Sequence, residues 1–341
     1  MYMLAVYTEL KNAQKVKQFI IKHNLLNNDY LPLKEFGYIY FPITKKFKVP
    51  YAKVVNTKFP FQEKEKELNV DELLKGKLST KQRKLIPRSQ EIVGKIMILE
   101  VPDELRSKEK IIAQAYLKTN KNITTIVKKD EIHSGEYRLR KVKLLAGKRT
   151  KETIHQENGI KISLDLEKTY FSARSANERL RIAKLVKKGE EILVMFSGAA
   201  PFPLVIAKNA EPKIIYGIEI NPLAHQYALK NVSLNNFDKK IKIINGDVRV
   251  ALPKIKRKFD RIAMPLPKTG ELFLPDALKK SKKGTIIHLY AFLSEEELSD
   301  ERKKVREICK REGYGIRILR VIKCGQFSPK TFRMCFDIKV V

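Results

Sequence analysis

A small loop and a carboxylate have the spacing of a nucleotide pocket. A short apolar strand is predicted to end in the loop Phe196–Phe202, which contains Gly198, Ala200 and Pro201, and Glu219 ends the next strand, 23 residues after Phe196. A carboxylate about 20 residues after such a loop typically accepts hydrogen bonds from the ribose hydroxyls of a cofactor. An acid at Glu219 therefore favours an adenosine-containing cofactor without a 2′-phosphate.

The same loop indicates which adenosine cofactor fits. Asp247 follows a third strand, where it is placed to accept a hydrogen bond from an adenine amino group. The loop has Gly198 alone, whereas a dinucleotide fingerprint has three glycines that let a pyrophosphate approach the backbone. S-adenosylmethionine carries no phosphate and is the predicted cofactor. The simpler alternative is a turn glycine at Gly198 and a surface acid at Glu219.

Alternating strands and helices must position this pocket. From about residue 166, five short apolar strands are predicted, over Leu193–Phe196, Ile214–Glu219, Ile241–Ile244, Arg261–Met264 and Thr285–Tyr290. Strand and helix alternation is typical of a doubly wound, mainly parallel α/β sheet, which binds ligands at the carboxyl ends of its strands. Segments Tyr314–Lys323 and Thr331–Val340 are predicted to close the sheet as an antiparallel hairpin.

Two helix ends in this region have recognisable signals. Asn221-Pro222 provides a capping residue followed by a proline at the first helical position. Gly189 follows a basic run and is predicted to stop the helix before the first strand.

The remainder of the chain is predicted to contain two smaller α/β units. Residues 1–62 combine an amphipathic helix around Val16 and Ile20 with a strand over Tyr38–Pro42. Residues 63–88 form a charged linker that contains helix. Residues 89–165 form a basic α+β unit, with strands predicted over Ile92–Leu99 and Tyr137–Leu145 and a helix over Glu104–Leu117. Residues 166–341 form the cofactor-binding domain.

The composition points to a polyanionic partner. The 341 residues carry 70 Lys and Arg against 38 Asp and Glu, a formal net charge of +32. This excess of cations favours nucleic acid, because binding phosphates releases condensed counterions. An acidic membrane surface is the competing partner, and a lysine-rich composition without such a partner is the other alternative. Three separated cysteines argue against a disulfide framework and a zinc site. The sequence shows no signal peptide and no membrane helix, so we expect a cytoplasmic protein.

Six ordered blocks of residues carry a family resemblance. They are Pro87-Arg88-Ser89 with Val93-Gly94, Gly135-Glu136-Tyr137-Arg138-Leu139-Arg140, Thr153-Ile154-His155 with Glu157-Asn158-Gly159, Tyr170-Phe171-Ser172 with Glu178-Arg179, the loop Phe196–Phe202, and Met264-Pro265-Leu266-Pro267-Lys268. With these blocks the chain resembles the archaeal tRNA (guanine-37-N1)-methyltransferase family over nearly its whole length. The resemblance implies a small domain that contacts the tRNA body, a middle domain on the anticodon arm and a C-terminal Rossmann-like methyltransferase domain.

The resemblance also implies roles for individual residues. Glu178 would be the general base that removes the proton from guanine N1, and Arg138 would stabilise the charge that develops on O6. Tyr170 and Phe171 would lie beside the cofactor and the target base, which must leave the anticodon-loop stack to be reached. The alternatives are that Glu178 and Arg179 are surface charges and that Arg138 binds a phosphate.

The chain departs from the family at three positions. Val194 stands where an acid is usual, and Ala200 stands where a second glycine is usual. Pro265 replaces the asparagine of an Asn-Leu-Pro motif, so that with Pro267 it forms Pro-Leu-Pro. Proline offers the base edge a carbonyl but no amide. This variant resembles a wyosine-linked branch whose enzymes also methylate C7 of 4-demethylwyosine, a tricyclic base derived from N1-methylated guanine 37.

Other function classes remain open from the sequence alone. A dedicated C7 methyltransferase would lack the N1 activity. An RNA-binding protein with a degenerate methyltransferase domain would explain Val194 and Ala200, and an NAD-dependent oxidoreductase would use the same sheet topology. We expect a monomer with tRNA as its macromolecular partner.

Overall fold

The computed structural model describes residues 2–64, 69–130, 137–266 and 268–341. The chain divides into two compact units, Met1–Leu73 and Leu74–Val341. No helix within the described ranges combines the length and the apolar character that crossing a bilayer requires. All three cysteines are free thiols.

The first unit is a four-stranded antiparallel sheet with one helix. Its elements are β1 (Met3–Glu9), α1 (Ala13–Lys22), β2 (Leu33–Glu35), β3 (Tyr38–Pro42) and β4 (Lys53–Thr57), and the strand order is β2-β3-β1-β4. Val16 and Ile20 lie one turn apart on α1 and are both fully buried, in a cluster with Val6 and Phe41. The helix and the strand that the sequence predicted here are confirmed.

Short helices follow in the region predicted as a linker. They are α2 (Val70–Leu74) and α3 (Thr80–Lys84). Ser79 caps α3 in a capping box, because its side chain accepts from the Gln82 amide while the Gln82 side chain accepts from the Ser79 amide.

The second unit begins with a mixed four-stranded sheet. Its elements are β5 (Glu91–Val93), β6 (Ile96–Leu99), α4 (Glu109–Thr119), β7 (Thr125–Lys129) and β8 (Val142–Gly147), in the order β5-β6-β7-β8. The single strand predicted over Ile92–Leu99 is wrong, because the chain turns at Gly94. Gly94 has φ +56°, and a Cβ there would lie 2.4 Å from the Ile154 carbonyl oxygen.

Two other expectations in this sheet require correction. The strand predicted over Tyr137–Leu145 begins only at Val142, since Arg138 has φ +50° and cannot continue an extended chain. Six residues in 3-10 conformation, Asp103–Lys108, precede α4, whereas the sequence predicted continuous helix from Glu104.

A hairpin leads into the large sheet. It is formed by β9 (Glu152–Glu157) and β10 (Ile160–Asp165). The elements that follow are α5 (Ala176–Leu185), β11 (Glu191–Met195), α6 (Pro201–Asn209), β12 (Ile214–Glu219), α7 (Pro222–Leu234), β13 (Ile241–Asn245), α8 (Val248–Lys254), β14 (Phe259–Met264), α9 (Leu274–Lys279), β15 (Ser281–Leu293), α10 (Leu298–Arg311), β16 (Ile316–Gln326) and β17 (Phe332–Val340).

The large sheet has the order β13-β12-β11-β14-β15-β17-β16. The strands from β13 to β15 pair in parallel, and β17 pairs antiparallel with both β15 and β16. This confirms the predicted α/β class with a closing hairpin. Val194 is fully buried in β11, which contains apolar residues throughout its centre. The predicted cap of α7 is confirmed, because Asn221 Oδ1 accepts from the Leu223 and Ala224 amides.

One predicted helix end differs. Helix α5 stops at Leu185 with Val186 extended, so Gly189 does not cap it. Gly189 has φ +80° in the turn before β11, and its amide donates to the Glu211 carbonyl.

Candidate active site

The loop after β11 has an unusual backbone. Phe196, Gly198 and Ala200 have φ values of +59°, +56° and +67°. This left-handed region costs a residue with a side chain about 1–2 kcal/mol, and such strain concentrates at functional sites. Ala200 is fully buried where it precedes α6. The conformation explains why a glycine suits position 200 and identifies this turn as a constrained part of the site.

Glu219, at the end of β12, fastens this loop to the neighbouring strand. Its Oε2 accepts from the Gly198 amide at 2.7 Å, and its Oε1 accepts from the Asn221 amide at 2.9 Å. Burial raises the pKa of Glu219, although these two hydrogen bonds oppose the shift. Each carboxylate oxygen has two lone pairs, so both retain capacity to accept a hydroxyl.

A cavity of about 240 Å³ opens at the carboxyl ends of β11, β12 and β14. We call it the cofactor cleft; it is lined by Tyr137, Arg138, Tyr170, Phe196, Gly198, Glu219, Ile220, Asn221, Ala224, Asp247, Val248, Arg249, Pro265, Leu266, Thr269 and Phe273. Asp247 caps α8, and its Oδ2 accepts from Arg249 Nη2 at 2.5 Å. The hydrogen bond to Arg249 lowers the pKa of Asp247. The two acids predicted for ribose and adenine therefore line one cleft.

A second cavity adjoins the cofactor cleft. We call it the base cavity; it is lined by Tyr170, Phe171, Ser172, Ser175, Glu178, Arg179, Phe196, Ser197, Gly198, Pro201, Phe202, Pro265, Tyr290 and Arg333. Four of these residues, Tyr170, Phe196, Gly198 and Pro265, also line the cofactor cleft. The two cavities therefore share a wall, which is the arrangement required when a cofactor and a second reactant must meet.

Glu178, in the first turn of α5, is the carboxylate of the base cavity. It is only 4% exposed, and three donors hold it. Arg181 binds it in a bidentate pair, with Nε to Oε2 and Nη2 to Oε1 both at 2.7 Å, and the Tyr290 hydroxyl donates to Oε1 at 2.5 Å. Burial excludes the alternative that Glu178 is a surface charge.

Arg179 is also buried and has a packing role. Its Nε and Nη2 donate to the two carboxylate oxygens of Glu157, each at 2.5 Å, and its guanidinium lies 5.1 Å from the centre of the Phe171 ring. From the segment before β8, Arg140 Nη2 donates to the Phe171 carbonyl at 2.9 Å. Two buried arginines thus hold the Phe171 segment in place, and this segment forms part of the wall of the base cavity.

Arg138 reaches the site from the segment before β8. Its Nη2 lies 3.4 Å from Thr269 Oγ1, and burial lowers its pKa. The structure brings Arg138 to the cofactor cleft, whereas Glu178 lines the base cavity; Tyr170 lies on both. Their predicted action on one base therefore stays a prediction.

The remaining predicted residues divide as follows. Phe171 and Pro201 line the base cavity alone, and Ala200 lines neither cavity. Pro265 lies on the shared wall. Pro267, and the block residues Gly135 and Glu136, lie outside the described residues.

Sequence reasoning missed three residues of the base cavity network. Arg181 had a local signal, since it follows Glu178 by three residues on one helix face. Tyr290 and Arg333 had none, because each is separated from α5 by more than a hundred residues. Arg333 Nη1 donates to Ser175 Oγ at 2.6 Å.

A buried carboxylate, Asp337, anchors the far side of this network. It accepts from His288 Nδ1 at 2.6 Å, Arg181 Nη1 at 2.9 Å and Arg320 Nε at 2.8 Å. Burial acts to raise the pKa of Asp337, but the bonds from His288 and Arg181 hold it well below its usual range. Asp337, His288 and Cys335 lie close enough together to resemble a metal site. The guanidinium groups of Arg181 and Arg320 around this cluster make it unsuitable for a cation.

Three segments of the chain match known protein families. Residues 153–318 match the TRM5/TYW2 methyltransferase domain, residues 70–150 match the TYW2 N-terminal domain, and residues 5–52 match the tRNA methyltransferase 5 N-terminal domain.

Individual relatives agree with these matches. The chain is 34% identical to the tRNA (guanine(37)-N(1))-methyltransferase Trm5b of Pyrococcus abyssi, over 99% of both chains. It is 32% identical to the tRNA (guanine(37)-N(1))/4-demethylwyosine(37)-methyltransferase Taw22 of Nanoarchaeum equitans, over 74% of this chain and 100% of the relative.

Solved structures give the same result. A complex of aTrm5 with tRNALeu superposes with a TM-score of 0.73 at 28% identity, over 99% of this chain and 100% of the other. Trm5 of Methanocaldococcus jannaschii in complex with adenosine superposes with a TM-score of 0.64 at 28% identity, over 99% of each chain. The near-complete alignment with Trm5b, together with the three domain matches, shows that the chain belongs to the TRM5/TYW2 methyltransferase family.

Proposed function

We propose that the protein transfers a methyl group from S-adenosylmethionine to N1 of guanine 37 in tRNA. The observation that carries this proposal is the buried carboxylate of Glu178 in a cavity that shares a wall with an adenosine-type cleft. The relatives named for this reaction, and the Trm5 complex with adenosine, support the same substrate and cofactor.

The residues of the cofactor cleft suit S-adenosylmethionine. Glu219 retains lone pairs for the ribose hydroxyls, and Asp247 is the acceptor for the adenine amino group. The bound cofactor would supply an electrophilic methyl group on a sulfonium. Phe196 lies on both cavities, and its ring packs edge-on against Phe273 at 4.9 Å, so the two rings form an apolar part of the cofactor cleft.

The base cavity would prepare the acceptor nitrogen. Guanine N1 carries a proton and is a poor nucleophile until that proton leaves. Glu178 would accept the N1 proton while N1 forms its bond to the methyl carbon and the methyl–sulfur bond breaks, leaving S-adenosylhomocysteine. Arg138 would stabilise negative charge on O6. Positioning of base and cofactor then provides much of the rate.

Labelled S-adenosylmethionine and an unmodified tRNA transcript test the N1 activity. We expect label on guanine 37 and none on a control transcript with adenine at position 37. No label on the guanine transcript or on precursor-modified tRNA would refute the proposal. If the protein also failed to bind S-adenosylmethionine, an RNA-binding protein with a degenerate domain would be favoured.

We further propose a second activity at C7 of 4-demethylwyosine. Pro265 carries this proposal, because it puts an apolar ring without an amide donor on the wall that both cavities share. A less polar edge suits a tricyclic base. The name of the Taw22 relative combines the same two reactions.

The product ratio on the two tRNA substrates tests the role of Pro265. Pro265→Asn should shift methylation toward N1 of guanine, whereas Pro265→Ala, which also lacks a side-chain amide, should stay near the wild-type ratio. An unchanged ratio in Pro265→Asn would refute the role of this proline. Methylation of guanine alone by the wild type would remove the C7 proposal, and methylation of the tricycle alone would indicate a dedicated C7 enzyme.

The proposed tRNA contacts use the whole chain. We propose that residues 1–62 bind the tRNA body, that 63–88 link them to an anticodon-arm domain at 89–165, and that 166–341 carry out the transfer in a cytoplasmic monomer. The net charge of +32 supports a polyanionic partner. Affinity for tRNA should therefore fall steeply with salt, since each neutralised phosphate contributes about 0.7–0.9 to the logarithmic slope.

A further inference from the structure

We propose that Arg181 is a positioning residue that keeps the Glu178 carboxylate ionised and aimed at the base cavity. This inference rests on the proposed function, in which Glu178 accepts the N1 proton. Arg181 itself does not line either cavity. It would act on the reaction only through Glu178.

The pair between Arg181 and Glu178 has the geometry of a fixed clamp. Two parallel bonds of 2.7 Å join the guanidinium fork to both carboxylate oxygens. Bidentate pairs of this kind fix orientation as well as charge, because rotation of the carboxylate breaks both bonds. The hydroxyl of Tyr290, which lies on β15, donates to Oε1 of Glu178 and is the third donor to this carboxylate.

A second carboxylate, that of Asp337, also binds Arg181 and anchors its guanidinium outside α5. Arg181 Nη1 donates to Asp337 Oδ2 at 2.9 Å, and Asp337 belongs to β17 in the large sheet. His288 and Arg320 bind the same carboxylate. The orientation of Glu178 on α5 is therefore set from the sheet through Arg181.

Among the residues that the structure describes, Arg181 is the cation that pairs directly with Glu178. Tyr290 on β15, Cys335 on β17 and Cys324 on β16 interact with the Glu178 charge, and burial raises the pKa of all three, which keeps them neutral. Arg333 lines the base cavity, but its guanidinium donates to Ser175 Oγ and to the Cys324 carbonyl.

Arg181 holds its own proton firmly. Burial acts to lower the pKa of Arg181, but its hydrogen bonds to Glu178 and Asp337 outweigh burial and raise it above the ordinary value. A permanent cation at this distance favours an ionised carboxylate.

The pH dependence of kcat/KM tests this role. Arg181→Gln removes the charge but keeps a hydrogen-bonding side chain. We expect its acid limb to move to higher pH by about 1–3 pH units, the effect of removing an adjacent opposite charge. Arg181→Lys keeps the charge, so its acid limb should stay near that of the wild type while kcat falls. Cofactor affinity should not change in either variant.

Arg320→Gln is the matched control. Arg320 binds Asp337 but makes no bond to Glu178, and its side chain is 52% exposed. Its acid limb should stay in place. An acid limb that is equally unmoved in Arg181→Gln would overturn the inference and leave Arg181 a structural residue.

Two further variants separate the possible failures. Glu178→Gln should abolish the acid limb; if it does not, the base assignment in the proposed function fails, and the inference fails with it. If Arg181→Gln does not fold, Asp337→Asn releases the far end of Arg181 while keeping its pair with Glu178. A fall in kcat without a change in cofactor affinity is expected there, and an unchanged kcat would overturn the inference.

Discussion

The cofactor cleft and the base cavity share four residues but are built in different ways. The cofactor cleft is shaped by backbone: positive φ angles in one loop and two amides that bind Glu219. The base cavity is shaped by a network of charged side chains. In this network, Arg181 connects Glu178 to Asp337. The first design depends on residues close in sequence, and the second depends on partners from opposite ends of the domain. We therefore expect substitutions in the two regions to affect binding and turnover separately.

Glu178→Gln should have the largest effect. Loss of a general base typically costs about 10²–10⁴-fold in rate. We expect kcat to fall by that factor, measured by single-turnover methyl transfer, while S-adenosylmethionine binds with unchanged affinity because the carboxylate does not line the cofactor cleft.

An exposed carboxylate provides the control for this substitution. Glu211 has a side chain that is 71% exposed and pairs only weakly with Lys188. Glu211→Gln should change neither parameter. An equal loss of cofactor affinity in Glu178→Gln would mean that the two regions do not act separately.

Glu219→Gln should show the opposite division. A hydrogen bond to a charged group contributes about 1.5–3 kcal/mol, so cofactor affinity should fall by about 10–150-fold. At saturating cofactor, kcat should change little. Calorimetric titration measures the affinity, and a large fall in kcat with unchanged affinity would contradict this assignment.

Cofactor binding should also depend on pH through Glu219. Because burial raises the pKa of Glu219, its carboxylate protonates at a higher pH than an ordinary glutamate. The ionised form accepts ribose hydroxyls better, so affinity should weaken as the pH falls through this raised value. The dependence should disappear in Glu219→Gln; if it persists there, another group is responsible.

Ala200→Gly should have the smallest effect and tests the backbone side of the comparison. Glycine relieves the left-handed conformation at φ +67°, but it loses a buried methyl group and gains entropy in the unfolded chain. We expect the free energy of unfolding to rise by no more than about 1 kcal/mol. Denaturant titration measures it. Ala199→Gly, at a buried residue without positive φ, should instead lower the free energy of unfolding. An equal decrease in both variants would contradict backbone strain at Ala200.

The sequence predicted those parts of the site that local signals determine. Strand ends and the Asn221 cap determine the position of Glu219, so its predicted meeting with Gly198 and Asp247 at one edge of the sheet is observed. Turns that depend on close approach were missed, as at Gly94, where the constraint comes from the Ile154 carbonyl. The bond between Arg181 and Asp337 joins residues 156 positions apart, and no periodicity indicates it. The roles of Glu178 and Arg138 followed from family resemblance and stay predictions.

The bond from Arg140 to the Phe171 carbonyl bears on whether the large-sheet region keeps the geometry of its site without the mixed sheet. Arg140, in the segment before β8, is 4% exposed and also pairs with Glu91 of β5, so it ties the Phe171 wall of the base cavity to the mixed sheet. A gene fragment that begins at the β9–β10 hairpin would encode the entire large sheet and Arg179, yet would lack the contact that Arg140 makes with this wall. We therefore expect such a fragment to hold the Phe171 segment less firmly than the full chain does.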